Sequence, residues 1–278
     1  MSIVDFSLDG KVAIVTGGSK GIGRAIALAF AEHGANVAIA ARGAEALERT
    51  KQEIAATGRH VLAVQANMAE DADIEKLYQR TCKELGGVDI LVNNAATISL
   101  GTLAEETGAE FLRVMKINAW APLYLSRLCR ESMRARGGGA IINITSNEGV
   151  RPSTGVGTYA LSKAAMINMA QLLGKEWARD GIRVSCIAPG LIRTELAQVL
   201  VDAVESSGLQ INAQGRIGEP HEIAGMALFL ASPAGAFATG MTYVVDGGEV
   251  SSGPGDVAMW AAMNSSGAAA QGDARTKS

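Results

Sequence analysis

The sequence predicts a doubly wound α/β fold, in which helices cover both faces of a parallel sheet of seven strands. Short runs rich in Val, Ile and Leu alternate with longer stretches of helical pattern. The short runs lack an alternation of polar and apolar residues, which is typical of strands buried on both faces. Each stretch between two runs is long enough for a crossover helix, so successive strands can be parallel.

The predicted elements follow one another in a simple order. The strands are predicted at 12–16, 36–41, 60–65, 88–93, 140–145, 183–188 and 241–245. The crossover helices are predicted at about 21–33, 43–57, 71–86, 106–136, 158–179 and 220–231. Neither a linker nor an internal repeat divides residues 1–250, so we expect one domain there. Residues 251–278 are rich in Ala, Ser and Gly and are expected to form a flexible tail. Alternatively, Met259, Trp260 and Met263 could dock this tail on a neighbouring subunit.

Composition and charge exclude several classes of protein. The 278 residues are 48% apolar and 19% charged, which excludes wholesale disorder. Lys and Arg number 25 against 28 Asp and Glu, so the basic excess typical of nucleic-acid binding is missing. The three cysteines are far apart and fit neither a disulfide framework nor a metal site. We find no apolar run of roughly 20 residues and no signal-peptide pattern, so we expect a cytoplasmic protein with no membrane partner and no metal.

A glycine-rich turn follows the first predicted strand and precedes a helix. Its sequence is Thr16-Gly17-Gly18-Ser19-Lys20-Gly21-Ile22-Gly23. Free N–H groups and the dipole at a helix N-terminus attract anions, so the turn is a candidate site for the pyrophosphate of a dinucleotide. Gly17 would allow the turn, Gly21 the approach of the pyrophosphate, and Gly23 close packing of helix on strand. The spacing is neither that of the commonest dinucleotide fingerprint nor that of a P-loop. The alternative is a glycine-rich turn without a ligand.

The residue that selects between NAD(H) and NADP(H) is expected at the end of the second strand. An acidic residue there would bind the ribose 2′-hydroxyl of NAD, but this chain has Ala41 followed by Arg42. A guanidinium can hold a 2′-phosphate through two parallel hydrogen bonds, and Lys20 adds a second cation nearby. We therefore expect NADP(H), with NAD(H) as the second choice. The alternative for Arg42 is an ordinary solvated arginine.

A candidate catalytic set follows further along the chain. Tyr159 and Lys163 are four residues apart, so they would share one face of a helix. A nearby ammonium lowers the pKa of a phenol from its usual value of about 10 towards a working range. Ser146 ends the fifth strand, at the sheet edge where α/β proteins bind ligands, and can donate to a substrate carbonyl. Asn118 could hold a water beside Lys163. Taken singly, Ser146 is better explained as a helix cap, and Asn118 could equally be satisfied by backbone in a helix bend.

In order and spacing, these motifs resemble the short-chain dehydrogenase/reductase family over about residues 6–250. They are the glycine turn, Asn93-Asn94-Ala95, Asn118, Ser146, Tyr159 with Lys163, and Pro189-Gly190. The resemblance implies a single Rossmann-type domain with three layers, α/β/α, and NAD(P)-dependent hydride transfer at a carbonyl or carbinol carbon. It also implies the catalytic roles: Tyr159 as general acid/base, Lys163 lowering its pKa and binding the nicotinamide ribose, Ser146 orienting the substrate oxygen, and Asn118 sustaining a proton relay.

The same resemblance implies which residues line the cofactor. They are Gly17, Ser19, Lys20, Gly21, Ile22, Gly23, Arg42, Asn67, Met68, Asn94, Ala95, Ala96, Tyr159, Lys163, Pro189, Gly190, Ile192 and Thr194. Asn67 and Ala96 depart from the family, which usually has Asp and Gly at these positions. The amide of Asn67 keeps a hydrogen-bonding group beside the adenine, and the methyl of Ala96 would trim the nicotinamide pocket.

The substrate pocket is less well defined by the sequence. We expect it to be lined by Asn147, Glu148, Val156, Leu191 and the segment 195–216, in particular Leu196. The segment 195–216 also contains Val199, Leu200, Val204 and Leu209. This apolar set suits a lid over a hydrophobic substrate, or alternatively a helix packed on the core. Glu148 would contact a substrate hydroxyl or amine, or else point to solvent.

The predicted function is hydride transfer between NADP(H) and a small-molecule ketone or secondary alcohol, with a 3-oxoacyl thioester among the candidate substrates. Arg127, Arg130 and Arg134 share a helix face that could meet an acidic carrier protein, but a solvated face explains them better. The alternatives are an NAD-dependent dehydrogenase of a sugar, steroid or cyclic alcohol, and a non-catalytic NADP sensor on the same fold. The resemblance and the surplus of apolar residues on the two long helices imply a homotetramer or homodimer.

Overall fold

The strands and helices of the computed structural model lie within residues 3–251, which are the residues the structure describes. The strands are β1 (Val12–Thr16), β2 (Asn36–Ala41), β3 (Val61–Gln65), β4 (Ile90–Asn93), β5 (Gly139–Ile144), β6 (Ile182–Pro189) and β7 (Thr242–Val245). The helices are α1 (Gly21–Glu32), α2 (Ala44–Ala55), α3 (Asp71–Leu85), α4 (Gly108–Met115), α5 (Ala121–Ala135), α6 (Gly157–Glu176), α7 (Gln198–Ser207) and α8 (Pro220–Ala231). The expected tail, with Met259, Trp260 and Met263, lies outside the described residues.

All seven strands are parallel and form one sheet in the order β3-β2-β1-β4-β5-β6-β7. The predicted doubly wound α/β fold is therefore confirmed. The strand order reverses between β1 and β4, and ligands bind at such a switch point in open α/β sheets. Thr16 pairs with Ala40, and Asn93 pairs with Asn143. The strand ends therefore lie side by side, and the loops after them form one edge.

Helices cover both faces of the sheet and bury it. Side chains of α1, α2 and α8 form one apolar cluster with the sheet, which includes Ile26, Phe30 and Ile223. Side chains of α3, α5 and α6 form the second cluster on the opposite face, which includes Leu77 and Leu125. All five residues of β1 are buried, as expected for a central strand between two helical layers. This arrangement gives the three layers α/β/α.

The structure differs from the sequence-based prediction in two helical regions. The helix predicted at 106–136 begins at Gly108, where the Thr107 hydroxyl accepts a hydrogen bond from the Glu110 N–H. A π-helical segment, Lys116–Trp120, divides this helix into α4 and α5. In addition, the segment 195–216 contains a regular helix, α7, which the list of crossover helices lacked. Such π segments are frequent at functional sites, and this one contains Asn118.

Two features of the described residues bear on partners. None of the helices found between residues 3 and 251 combines the length and the apolar character needed to cross a membrane. Within the same residues, no group of three or more His, Cys, Asp or Glu side chains is arranged to hold a metal ion. All three cysteines carry free thiols.

Candidate active site

The glycine turn connects β1 directly to α1 and leaves the start of that helix open. Gly17 and Gly21 have positive φ values of 65° and 52°, which L side chains rarely adopt. A Cβ on Gly23 would lie 2.3 Å from the Gly17 carbonyl oxygen. No side chain of the described residues caps the N-terminus of α1. The first N–H groups of α1 are therefore available, and the turn fits the pyrophosphate of a dinucleotide.

Asn94 and Ala95 fasten the end of β4 to this turn. The Asn94 Nδ2 donates to the carbonyl oxygens of Thr16, at 2.9 Å, and of Gly17, at 3.2 Å. The Thr16 hydroxyl accepts from the N–H groups of Asn94 and Ala95. Across the cleft, a Cβ on Gly21 would lie 3.0 Å from the Cγ2 atom of Thr194. Residues predicted at the cofactor thus lie on both sides of one cleft.

The serine, tyrosine and lysine of the predicted catalytic set come together beyond the end of β5. Tyr159 and Lys163 lie one turn apart on α6, and the Lys163 Nζ is 5.5 Å from the centroid of the Tyr159 ring. Lys163 is only 2% exposed, and its Nζ donates to the Ile144 carbonyl oxygen at 2.9 Å. The Ser146 hydroxyl faces the phenol. It also accepts from the Glu148 N–H, so the cap expected for Ser146 taken singly is present as well.

Burial dominates the titration of both groups on α6. It raises the pKa of Tyr159 to about 12, although the hydrogen bond with Ser146 acts in the opposite direction. Burial likewise lowers the pKa of Lys163 to about 8. Desolvation therefore sets the direction of the shift in the protein alone, and the expectation that Lys163 lowers the pKa of the phenol stays a prediction. At neutral pH, Tyr159 keeps its proton and can act as an acid.

Asn118 is fully buried in the π segment between α4 and α5. Its Oδ1 accepts from the Thr97 N–H at 2.9 Å, and its Nδ2 donates to the Thr97 carbonyl oxygen at 2.8 Å and to the Ser162 hydroxyl at 3.0 Å. Both the oxygen and the nitrogen of the Asn118 amide are thus hydrogen-bonded within the chain. This agrees with the alternative interpretation of Asn118 as a polar residue that is satisfied in a helix bend. Its role in a proton relay stays a prediction.

A cavity of about 540 Å³ opens beside Ser146, Tyr159 and Lys163. Most of the residues predicted at the cofactor or the substrate line it. These are Ile22, Asn94, Ala96, Ser146, Asn147, Glu148, Val156, Tyr159, Lys163, Pro189, Gly190, Leu191, Ile192, Thr194 and Leu196. Leu200, Val204 and Leu209 of the predicted lid line it too, whereas Val199 is 72% exposed and does not. The segment around α7 is therefore a wall of the cavity.

The other residues predicted at the cofactor lie outside the cavity. Lys20 forms an ion pair with Glu195 at 2.6 Å, so a carboxylate already offsets its charge. Arg42 is exposed, and its guanidinium has no hydrogen bond or ion pair with any residue between 3 and 251. The Asn67 Oδ1 accepts from the Ala69 N–H, and the Met68 side chain is buried in the cluster with α3. The Ser19 carbonyl oxygen accepts a hydrogen bond from the Thr50 hydroxyl.

Two of the three arginines on the long helix are engaged within the chain. The Arg130 Nε and Nη2 donate to the Asp180 Oδ2 at 2.8 and 2.6 Å. The Arg130 guanidinium also lies 5.2 Å from the centroid of the Trp177 ring. Arg134 pairs with Asp180 at 3.3 Å. The helix face that could meet an acidic carrier protein is thus partly neutralised.

Four residues of the cavity were missed by the sequence analysis, namely Ile98, Ile144, Thr145 and Glu249. Ala197, Ala203, Ser207 and Ile211 also line it, and they belong to the segment 195–216 that was expected at the pocket. Glu249 lies in the turn after β7, and β7 lies beside β6 in the sheet. Because parallel strands end at the same edge, a charged residue just after the last strand was a usable signal.

Comparison with known proteins gives one consistent result. Residues 17–249 match a family model described as enoyl-(acyl carrier protein) reductase. A 3-oxoacyl-acyl-carrier-protein reductase of Chlamydia muridarum is 39% identical over 240 residues, which cover 86% of this chain and 96% of that protein. The crystal structure of a short-chain type dehydrogenase/reductase from Mycobacterium marinum is 36% identical, with a TM-score of 0.83 over 88% of this chain and 97% of that one. L-sorbose reductase of Gluconobacter frateurii, complexed with NADPH and L-sorbose, is 34% identical, with a TM-score of 0.84 over 88% and 98% of the two chains.

Proposed function

Because this chain belongs to the short-chain dehydrogenase/reductase family and is an NAD(P)-dependent oxidoreductase, we propose that it transfers a hydride between NADP(H) and a ketone or secondary alcohol. One observation carries the proposal. Ser146, Tyr159 and Lys163 lie together on the wall of a cavity of about 540 Å³ whose lining also includes residues beside the glycine turn. A proton donor and a nucleotide cradle therefore share one cleft.

The chain's own residues account for the proton chemistry. When bound, the nicotinamide would supply the hydride in reduction and accept it in oxidation. Tyr159 holds its proton at neutral pH and can deliver it to the carbonyl oxygen. The Ser146 hydroxyl donates its one proton to the Asn147 Oδ1 at 3.1 Å, and by rotating it can donate a second hydrogen bond to that carbonyl oxygen instead. Lys163 is held by Ile144, and its ammonium stabilises the phenolate that forms.

The preference for NADP(H) rests on Arg42. It stands where β2 ends, and its exposed guanidinium is not engaged by the described residues. A 2′-phosphate could bind it through two parallel hydrogen bonds, whereas an NAD ribose would find no carboxylate at this position. The similar sorbose reductase was crystallised with NADPH, which agrees with this choice.

Reduction of a 3-oxoacyl thioester is the second candidate for the substrate. The 39% identity to the Chlamydia reductase favours it. The apolar side chains of α7, among them Leu200 and Val204, would suit an acyl chain. Against it, Arg130 and Arg134 are paired with Asp180, so little free positive charge remains for an acidic carrier.

A screen of ketones and alcohols with both cofactors tests the proposal. Reduction of at least one ketone by the wild type is expected, and Tyr159→Phe should lower this rate by about 10²- to 10⁴-fold because the proton donor is lost. Tyr78→Phe makes the same change on α3, away from the cavity, and should leave the rate unchanged. Near-wild-type reduction by Tyr159→Phe would contradict the assignment. An absence of turnover with every substrate would favour the NADP sensor.

We also propose that the chain assembles as a homotetramer or homodimer through α5 and α6. Leu161 and Leu172 on α6 are 45% and 52% exposed, and such large apolar side chains are costly to leave in water. Leu125 and Met166, in contrast, are already buried within the chain. Sedimentation of the full chain tests this, and a monomer at micromolar concentration would refute it.

A further inference from the structure

An ion pair joins the glycine turn to the segment that carries α7. Lys20 immediately precedes α1, and its Nζ lies 2.6 Å from the Glu195 Oε2. Glu195 opens a short 3₁₀ helix, Glu195–Ala197, which leads directly into α7. Beside the pair, a Cβ on Gly21 would lie 3.0 Å from the Thr194 Cγ2 atom, so the two segments meet closely here. The turn proposed to hold the cofactor is thus tied to a wall of the cavity by one contact between charges.

The Lys20 side chain can change partner without any movement of the turn. The Gly18 N–H donates to the Ala40 carbonyl oxygen at 3.2 Å, which ties the turn to β2. The Thr50 hydroxyl donates to the Ser19 carbonyl oxygen at 3.0 Å, which ties it to α2. The Lys20 side chain itself is 49% exposed, and its ammonium sits on a flexible four-carbon stem. Rotation of this stem can therefore transfer the charge from its present partner to another anion nearby.

A phosphate of the cofactor is such an anion. No side chain of the described residues caps the N-terminus of α1, so the first N–H groups of this helix are free to bind a negatively charged oxygen. Lys20 is the N-cap residue of the same helix, and its side chain can reach a phosphate bound there. The positive end of the helix dipole favours both the phosphate and the Glu195 carboxylate. Because these two anions repel each other, Lys20 gains little from holding both at once.

The α7 segment has few other contacts that would hold it. Val201 is the one buried residue of α7, and the 3₁₀ helix before it contains none. Arg193 pairs with Glu205 at 2.8 Å and with Glu219 at 3.2 Å, which holds the C-terminal half of α7 towards α8. Among the ion pairs of residues 3–251, only that of Lys20 ties the N-terminal end of the segment to the glycine turn. A segment with so little buried area opens at a low cost in free energy, so the loss of this pair should be measurable there.

We propose that Glu195 and a phosphate of the cofactor compete for Lys20, so that Glu195 lowers the affinity for the cofactor and the bound cofactor breaks the contact between the glycine turn and the α7 segment. The two effects are one coupling between two sites, so they are equal in size. The phosphate is either the pyrophosphate, which NADPH and NADH share, or the 2′-phosphate, which NADPH alone carries. This inference rests on the proposed function, since it places the phosphates of the cofactor at the glycine turn.

Titration calorimetry with each cofactor tests the effect on affinity. Glu195→Gln keeps the shape of the side chain but removes its charge, so the affinity for the cofactor should rise about three- to fivefold, as expected when an exposed ion pair no longer competes. Glu205→Gln is the matched control, because it removes the same charge from α7 at a position that pairs with Arg193 rather than with the turn. This control should leave both affinities unchanged. A gain confined to NADPH assigns Lys20 to the 2′-phosphate, and a gain shared with NADH assigns it to the pyrophosphate.

Lys20→Met separates competition for the ammonium from a general repulsion between Glu195 and the cofactor. This variant should bind the cofactor more weakly than the wild type does, because the ammonium is lost. In the Lys20→Met background, Glu195→Gln should raise the affinity by less than about 1.5-fold, since no ammonium remains to be released. An equal gain in both backgrounds, or no gain in either, would overturn the inference, while cofactor binding and reduction of a ketone would keep the proposed function intact. If neither cofactor binds to the wild type, the proposed function and this inference fail together.

Hydrogen exchange gives a second readout that depends on neither turnover nor affinity. In the cofactor-free protein, the backbone amides of residues 195–201 should exchange about threefold faster in Glu195→Gln than in the wild type, because the pair with the turn is lost. With saturating NADPH the two proteins should exchange alike, since the cofactor has then broken the pair in the wild type too. A difference that persists at saturation would mean that Glu195 keeps Lys20 while the cofactor is bound, and would refute the competition. Equal exchange in the two cofactor-free proteins would refute it as well.

Discussion

Replacement of Arg42 by Ala isolates the contribution of one guanidinium to the choice of cofactor. The Arg42 backbone is fixed, because it follows the last residue of β2 and its carbonyl oxygen accepts from the Gln65 Nε2 at 2.9 Å. The side chain is exposed and has no partner among residues 3–251, so its removal breaks no internal contact that the structure describes. The substitution should leave the fold intact and change only what the cofactor meets.

The magnitude follows from the exposure of the site. Two unit charges about 4 Å apart attract by about 1 kcal/mol in water and by about 4 kcal/mol at the effective dielectric constant near a protein surface. A hydrogen bond to a charged group contributes about 1.5–3 kcal/mol. Because Arg42 is exposed, the lower part of these ranges applies, and about 2 kcal/mol corresponds to a loss of roughly 30-fold in NADPH affinity. NADH lacks the 2′-phosphate, so its affinity should change by less than about twofold.

Titration calorimetry with NADPH and NADH measures both affinities. Arg49→Ala is the matched control, because Arg49 is an exposed arginine on the neighbouring helix α2 that pairs with Glu45. The ratio of NADPH to NADH affinity should fall in Arg42→Ala and stay constant in Arg49→Ala. The difference between wild type and Arg42→Ala should also shrink at high salt, because exposed charges are screened. An unchanged NADPH affinity, or an equal loss for both cofactors, would refute the reasoning.

Three further outcomes are expected. Since the pKa of Tyr159 is raised to about 12, the rate of alcohol oxidation, which needs the phenolate, should increase between about pH 7 and pH 10, whereas the rate of ketone reduction should stay constant. Initial rates measure both reactions. An oxidation rate that levels off below pH 8 would contradict the assignment. The pKa of Lys163 is lowered to about 8 from its ordinary value near 10.5, so the unfolded chain binds more protons between these two pH values and the free energy of unfolding should rise with pH there. Lys163→Met removes the buried charge and should raise the free energy of unfolding at pH 7 by about 1–3 kcal/mol while lowering activity. A lower free energy of unfolding for this variant, measured by urea denaturation, would count against the reasoning. Gly23→Ala places a methyl group 2.3 Å from the Gly17 carbonyl oxygen, so it should lower the free energy of unfolding by about 1–3 kcal/mol and also lower the affinity for NADPH. Gly43→Ala is the control, because a Cβ there meets no atom within 4 Å, and it should change neither quantity. Thermal melting and titration with NADPH measure both.

The strands were predictable because their chemistry is local. A central strand such as β1 is buried on both faces, so its apolar run reveals its position without reference to the rest of the chain. The glycine turn and the Tyr159–Lys163 spacing are local in the same sense. Each depends only on residues within one helix or one turn, and the structure places them where their spacing indicated.

The features that escaped prediction depend on contacts between distant parts of the chain. Lys20 and Glu195 are 175 residues apart, so nothing near Lys20 showed that its charge would be offset. The pKa of Tyr159 depends on how completely the surrounding loops desolvate the phenol. The sequence left the segment 195–216 open between a lid and a helix packed on the core, and it did not give the bounds of α7. The structure has features of both, because Val201 is buried while its neighbour Leu200 lines the cavity.

The π-helical segment that precedes α5 makes this part of the chain sensitive to the deletion of a residue. An α-helix turns by about 100° and rises by about 1.5 Å with each residue. Removal of one residue between Lys116 and Trp120 would therefore restore a regular helix and swing α4 around relative to α5. Asn118 would then leave Thr97 and Ser162, although every remaining side chain would be the same. For this stretch of chain, the number of residues constrains the molecule as tightly as their identity does.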